Sequence, residues 1–245
     1  MRAKNRSIEQ IIEEQVRKWQ FSKAEPKIEI PFRPIVTISR EPGSGGNVIG
    51  ERLARRLDLD LFHQEMIHAM AKSAKVSSRL LETLDEKGLS VLDDWMAYLV
   101  DFRHMWPDQY LKHLMKVIGA IGRHGGAVLI GRGANFILPP ERRFSIRVIA
   151  PFAVRAANVA RNHQVTEKEA RKRITKTDSQ RRAFIRKYFN TSIADPFNYD
   201  MVLNTGSASI DGAVEAIAAF LGLASTGQTA AQAQKRPSAA STGAR

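Results

Sequence analysis

Val36-Thr-Ile-Ser-Arg40-Glu-Pro-Gly43-Ser-Gly45-Gly46-Asn47-Val-Ile-Gly50 joins a short β-branched run to a Gly-rich loop, then to an apolar stripe through Val48, Ile49, Leu53 and Leu57. That order predicts strand, loop and helix. It is the layout that turns backbone N–H groups and the positive end of a helix toward phosphate oxygens. Glycines suit such a loop because the backbone must take positive φ and approach the ligand closely. Gly-Ser-Gly-Gly is also a common flexible turn, so its place between the first core strand and the first core helix carries the anion reading. The standard phosphate loop has a first glycine, then Gly-Lys-Ser/Thr. Aligned on Gly45, Arg40 stands at the first glycine, Gly46 at the lysine, and Asn47 at the Ser/Thr that would hold magnesium. Losing the lysine removes a positive charge from the transferred phosphate. Arg40 is the expected replacement, with Asn47 offering a neutral oxygen. The candidate phosphate-binding residues are therefore Arg40, Gly43, Ser44, Gly45, Gly46 and Asn47.

Outward from the loop, strand and helix signals alternate. Strands are expected at 35–39, 127–130, 144–150 and 201–204. Helices are expected at 63–73, 77–86, 109–123, 152–163, 167–176, 179–189 and 210–221. Strands separated by helices predict an α/β chain with a parallel sheet and helices on both faces. Residues 80–124 carry no strand signal and read as a helical insertion. Ser7 and Gln10 form a capping box opening a helix, whose stripe Ile8, Ile11, Ile12, Val16 and Trp19 ends near Gln20. A Pro-punctuated link then leads to the core domain, expected over 35–223. Residues 224–245 hold no large apolar side chain and are expected to be a disordered tail.

Charge narrows the partners. The net charge is +13, and residues 141–190 hold 14 Lys and Arg against 4 Asp and Glu, or +10 of it. A field localised in this way draws polyanions or phosphorylated small molecules, although any one of these cations may be read as a solvated helix face. There is no cysteine, which excludes disulfide frameworks, thiolate zinc sites and cysteine nucleophiles. Its absence fits a reducing, cytoplasmic setting. The longest strongly apolar stretch, 216–224, is far below the roughly 20 residues of a membrane span. The basic first residues lead into Ile11-Ile12-Glu13-Glu14 rather than the apolar stretch of a secretory signal.

Several stretches together resemble the cytidylate kinase-like family. They are Thr37-Ile-Ser-Arg40 with Gly43-Ser-Gly-Gly46, Leu61-Phe-His-Gln-Glu65-Met-Ile67, Ile130-Gly-Arg132-Gly-Ala-Asn-Phe136, Asp178-Ser-Gln-Arg181 with Arg186-Lys-Tyr188-Phe, and Asp195-Pro-Phe-Asn-Tyr199-Asp-Met-Val-Leu-Asn204-Thr. They run in family order over about 35–221. The resemblance implies a three-layer P-loop kinase fold with an ATP-side loop, an acceptor-side helical region at 80–124 and a basic lid over 164–190. It also implies ATP with Mg2+ as donor and a nucleoside monophosphate or similar phosphorylated acceptor. By the same resemblance, Arg132, Arg181 and Arg186 are the catalytic arginines, with Arg132, Glu65 and Asp178 on the acceptor. Thr166 and Glu169 read as a capping box opening the lid helix that carries Arg171, Lys172 and Arg173.

Three departures stand out. Gly133 replaces the aspartate of the Gly-Arg-Asp found in cytidylate kinases, which leaves cytosine selectivity open. His63 stands where the family often has an aspartate, making Glu65 the nearest carboxylate. Ile174 stands where an arginine precedes the Asp178 position. Arg132 could alternatively cap a strand-end carbonyl, and Glu65 could be a solvated first-turn glutamate. Three functions remain in play: a phosphotransferase, a nucleotide-binding regulator that has lost catalysis with the lysine, and a basic nucleic-acid binder. The last has only Phe184, Tyr188 and Phe189 as aromatics in the basic stretch, spaced as for packing.

Overall fold

The computed structural model describes residues 7–24, 34–102 and 108–234. The chain opens with α1 (Ile8–Ala24), then β1 (Ile35–Arg40), α2 (Gly46–Arg56) and β2 (Asp60–Phe62). Four helices follow: α3 (Gln64–Lys72), α4 (Ala74–Glu82), α5 (Glu86–Phe102) and α6 (Gln109–His124). β3 (Ala127–Ile130), the short α7 (Ala134–Ile137) and β4 (Phe144–Ile149) come next. Helices α8 (Phe152–His163) and α9 (Glu167–Phe189), β5 (Met201–Asn204) and α10 (Ile210–Gln234) complete the order.

The five strands form one parallel sheet in the order β2-β3-β1-β4-β5. β1 lies at its centre, with Ile35 opposite Ala127 on one side and Val36 opposite Phe144 on the other. Its side chains alternate between two cores. Ile35 joins Phe62, Leu114, Ile118 and Leu129 beneath α3, α4 and α6, while Val36 and Ile38 join Ile49, Leu53 and Ile217 beneath α2 and α10. Covering both faces is what lets consecutive residues such as Ile35 and Val36 both be apolar and buried. Full burial of each such side chain stabilises by about 1.5–3 kcal/mol.

Helix α1 docks on the first face through Ile12, Val16 and Trp19. The expected capping box is present: Ser7 N–H donates to Gln10 Oε1 at 2.9 Å and Gln10 N–H to Ser7 Oγ at 3.2 Å. Trp19 stacks on His124 with ring centroids 4.2 Å apart. Arg79 pairs with Glu13 at 2.7 Å, and Lys18 with Asp60 at 2.7 Å.

Several expectations are corrected. Asp60–Phe62 is a strand that no sequence pattern marks; three residues are too few for a period, and pairing with β3 decides it. The stretch 77–86 divides into the end of α4 and the start of α5. The two helices expected at 167–176 and 179–189 are one 23-residue helix, α9. Ala170 and Ile174 pack on Ala156 and Val159 of α8, and Asp178 is held by Arg155, so the polar Thr177-Asp178-Ser179 does not break it. Helix α10 runs to Gln234, past the residue at which the disordered tail was expected to begin. Residues 235–245, and all but residue 34 of the expected link 25–34, lie outside the described residues. No helix among the described residues is long and apolar enough to cross a membrane.

Candidate active site

β1 delivers Ser39 and Arg40 to the carboxyl edge of the sheet, where ligands of open α/β folds bind. The chain then turns through Gly43 at φ 80° and Gly45 at φ 79° into the first turn of α2. A Cβ on Gly43 would lie 2.5 Å from the Arg155 carbonyl oxygen, so both space and φ require glycine there. Side chains from outside hold the loop: Asn158 Nδ2 donates to the Gly43 carbonyl at 2.9 Å, and Thr205 Oγ1 to the Ser44 carbonyl at 2.8 Å. Ser44 is buried, its hydroxyl donating to the Glu41 carbonyl at 2.8 Å and its N–H to the same oxygen at 3.2 Å. Ser44 thus closes the turn, while Gly43, Gly45, Gly46 and Asn47 line the cavity beside it.

Two cavities of about 420 Å³ each open at this edge. The loop-side cavity is bounded by the loop and by Asn158, Arg161, Asn162 and His163 of α8. The second is bounded by Gln64, Arg132, Asn135 and by Thr177, Gln180 and Phe184 of α9. Arg40 and Arg181 line both. An anion spanning the two cavities would meet both residues.

Arg40 is 7% exposed. Its Nε donates to Asn47 Oδ1 at 3.0 Å and its Nη2 to Gln64 Oε1 at 3.1 Å. Burial, then the neighbouring charge of Arg181, push its pKa down to about 9; Glu65 opposes this, and Arg132 and Arg147 add to it. Arg181 is likewise lowered, first by burial, with Asp178 acting the other way. Its Nη1 donates to the Arg40 carbonyl at 2.6 Å, tying α9 to the end of β1.

β3 ends in three consecutive left-handed residues, Gly131 at φ 82°, Arg132 at 56° and Gly133 at 68°. Holding a non-glycine residue there costs of order 1 kcal/mol and marks functional corners. The turn aims Arg132 into the second cavity, its guanidinium 5.9 Å from the Phe184 ring centroid and its buried Nε without a hydrogen-bond partner. A Cβ at Gly133 would lie 2.5 Å from Phe189 Cε2, so the aspartate of the Gly-Arg-Asp pattern has no room.

The other expected residues fall elsewhere. Asp178 lines neither cavity; its Oδ2 accepts from Arg155 Nη1 at 2.8 Å. Arg155 Nε also lies 3.3 Å from Glu41, which accepts from the Ala150 N–H at 3.2 Å, so one buried arginine joins the loop, α8 and α9. Glu65 is exposed in the first turn of α3, within electrostatic reach of Arg40 and Arg181 but outside both linings. Arg186 is exposed and lies five residues beyond Arg181, about 140° around the helix. At the start of α9 Thr166 Oγ1 accepts from the Glu169 N–H at 3.3 Å, but the Glu169 carboxylate turns to Arg173, so only half of that capping box forms.

Sequence reasoning missed Gln64, Thr177, Gln180, Asn158 and Arg161. Helical spacing could have found several: Thr177, Arg181 and Phe184 share a face of α9, and Asn158 and Arg161 one of α8.

The residues present do not fit a protein-held magnesium ion. Asn47 Oδ1, at the metal position of the standard loop, accepts from a guanidinium, and Glu41 is committed to Arg155 and Ala150. No cluster of three His, Asp or Glu side chains able to hold a metal occurs among the described residues.

A family model described as the cytidylate kinase-like family matches residues 35–207. A curated relative from Ignicoccus hospitalis, named cytidylate kinase, is 25% identical over 187 residues, covering 76% of this chain and 98% of its own. A crystal structure of an uncharacterized protein from Eubacterium ventriosum superposes with a TM-score of 0.54 at 20% identity, over 77% of this chain and 98% of that one.

Proposed function

We infer the function of this chain from the cytidylate kinase-like family, to which it belongs, and from two cavities that share Arg40 and Arg181 as a common wall. The protein is a phosphotransferase. ATP sits with its phosphates on the loop, and the phosphoryl group passes to an oxygen of a phosphorylated small molecule in the second cavity. A nucleoside monophosphate or a close relative is the acceptor, as the name of the Ignicoccus hospitalis relative suggests. The shared arginine wall carries this reading, because phosphoryl transfer needs positioning and charge neutralisation more than covalent chemistry.

The lining of the second cavity favours a phosphate over an alcohol as acceptor. Arg40, Arg132 and Arg181 contribute guanidinium groups and Gln64, Asn135 and Gln180 amides, with no carboxylate among its described lining residues. An alcohol needs a base to take its proton, whereas a phosphate oxygen is already anionic at neutral pH. Arg132 binds the acceptor phosphate from the lining of that cavity. Arg181, between the cavities, meets the charge on the group in flight. Arg161 and His163, on the wall facing the loop, lie beside the donor phosphates. Magnesium would arrive on the phosphate oxygens of ATP and not through a protein ligand. A cytoplasmic location, where such substrates are made, goes with this reading.

The deciding measurement is single-turnover transfer from γ-labelled ATP at high enzyme across a panel of monophosphates. Labelled diphosphate product supports the kinase. Nucleotide binding without transfer to any acceptor supports a regulator instead, a reading favoured by the occupied Asn47 oxygen. Steeply salt-dependent oligonucleotide binding with neither would favour the nucleic-acid reading.

A further inference from the structure

The Arg40 guanidinium is buried, yet among the described residues no carboxylate accepts a hydrogen bond from it; its partners are the amide oxygens of Asn47 and Gln64. Arg181, Arg132 and Arg147 add positive charge around it, opposed by the exposed Glu65 carboxylate, which makes no hydrogen bond to it. A buried cation with neutral partners is costly unless an anion completes the site. Neutral amides orient the fork without cancelling its charge, which leaves that charge for an anion to answer.

The packing connects this arginine to the unusual loop sequence. A Cβ at Gly46 would lie 2.5 Å from the Arg40 Cβ, 3.1 Å from its Cγ and 3.3 Å from the Val148 Cβ. A lysine at position 46 and an arginine at position 40 therefore exclude each other. The glycine-to-arginine and lysine-to-glycine departures from the standard loop are two halves of one exchange. The Asn47 oxygen, where a metal-binding hydroxyl would stand, is 3.0 Å from Arg40 Nε.

We propose that Arg40, Asn47 and Gln64 form a preassembled guanidinium cradle for a phosphate chain where Arg40 lines both cavities, in which Asn47 is a positioning residue for Arg40 and not a ligand of magnesium. The proposal rests on the phosphotransferase reading only in taking a triphosphate as the anion. The cradle itself recognises a polyphosphate chain, whatever is attached to it.

The test is equilibrium binding of a non-hydrolysable ATP analogue and of inorganic tripolyphosphate, each with magnesium and with EDTA. Wild type is expected to bind both, with affinities in EDTA and in magnesium agreeing within about threefold. Arg40→Ala should weaken both by about 10- to 100-fold, the worth of a charged hydrogen bond. Asn47→Ala should weaken them less, and should cost nothing further in an Arg40→Ala background, because its effect runs through Arg40. Asn47→Asp places a carboxylate on the guanidinium and should weaken binding in both conditions. Tighter binding by Asn47→Asp in magnesium alone would make Asn47 a metal ligand and overturn the proposal. So would additive losses in the Arg40/Asn47 double variant, or failure of the wild type to bind either probe. Binding of tripolyphosphate but not of the nucleotide would keep the cradle and sink the kinase reading. Gly46→Lys alone should lose binding and melt at lower temperature, while Arg40→Gly/Gly46→Lys should recover both. Wild-type binding and melting by Gly46→Lys alone would disprove the exclusion.

Discussion

The two halves of α9 carry similar arginines to opposite ends. In the first half Arg171 and Arg173 are exposed and pair with Glu167 and Glu169 one turn back, at 2.6 and 3.1 Å. In the second half Arg181 is half-buried, donates to the Arg40 carbonyl, and lines both cavities with Arg40 and the second with Arg132. Solvent and their own glutamates satisfy the first pair. The second is left with excess positive charge that a phosphate can answer. A charge run in a sequence therefore does not say which of its members await an anion; burial does.

The harshest way to break this contrast is to remove the buried tie between the two halves' surroundings. Arg155→Ala leaves Glu41 and Asp178 without their shared partner and should destabilise by about 3–5 kcal/mol, as loss of one member of a buried ion pair does. Urea unfolding checks it; a midpoint near wild type would mean that the network contributes little. Next in size, Arg181→Ala should lower single-turnover transfer about 100- to 1000-fold, roughly 2.7–4 kcal/mol of barrier, while acceptor KM changes little. Equal losses in KM and none in kcat would place Arg181 on the ground state instead.

A half-buried histidine sharpens the rule that burial selects the charge state. His124, under Trp19, has its pKa pushed down to about 4, first by burial and then by Arg123. Between that value and the ordinary one near 6.5 the unfolded chain binds the proton more readily. Stability is therefore full above about pH 6.5 and lost as pH falls toward 4, by about 2–3 kcal/mol. His124→Phe should flatten that part of the stability–pH curve, since an aromatic ring stays against Trp19. A persistent slope would assign it to other groups. The smallest effect is expected at the exposed end of α9: Arg171→Ala should cost about 0.3–0.5 kcal/mol and leave transfer within about twofold. A loss comparable to that of Arg181→Ala would erase the distinction between the halves.

Legibility followed the same division. The strand, loop and helix around Gly43–Asn47 could be read because apolar periodicity, glycine and position agree locally. β3 and β5 were legible as short apolar runs bounded by turn residues. β2 was not, because Asp60-Leu61-Phe62 becomes a strand only by pairing with β3. The continuity of α9 was hidden by the polar run at 177–179, which looks like a break until α8 and Arg155 are set beside it. In the site, Arg40 and Arg132 could be singled out from their places at strand ends. Arg181, Arg186 and Asp178 followed from resemblance, and the structure separates them: one between the cavities, one on the exposed face, one in an ion pair.

The sequence by itself determined the alternating α/β order, the Gly-rich loop with no lysine at position 46, the excess of positive charge and the family pattern. These are carried by spacing and composition along the chain. Only the tertiary structure decided that Arg40 leaves no room for a lysine at position 46, that Asn47 turns its oxygen to a guanidinium, and that Phe189 denies Gly133 an aspartate. Each of these depends on atoms from separate segments meeting within van der Waals or hydrogen-bond distance. Contacts of that range exist only after the sheet has brought the ends of β1, β3 and α9 to one edge.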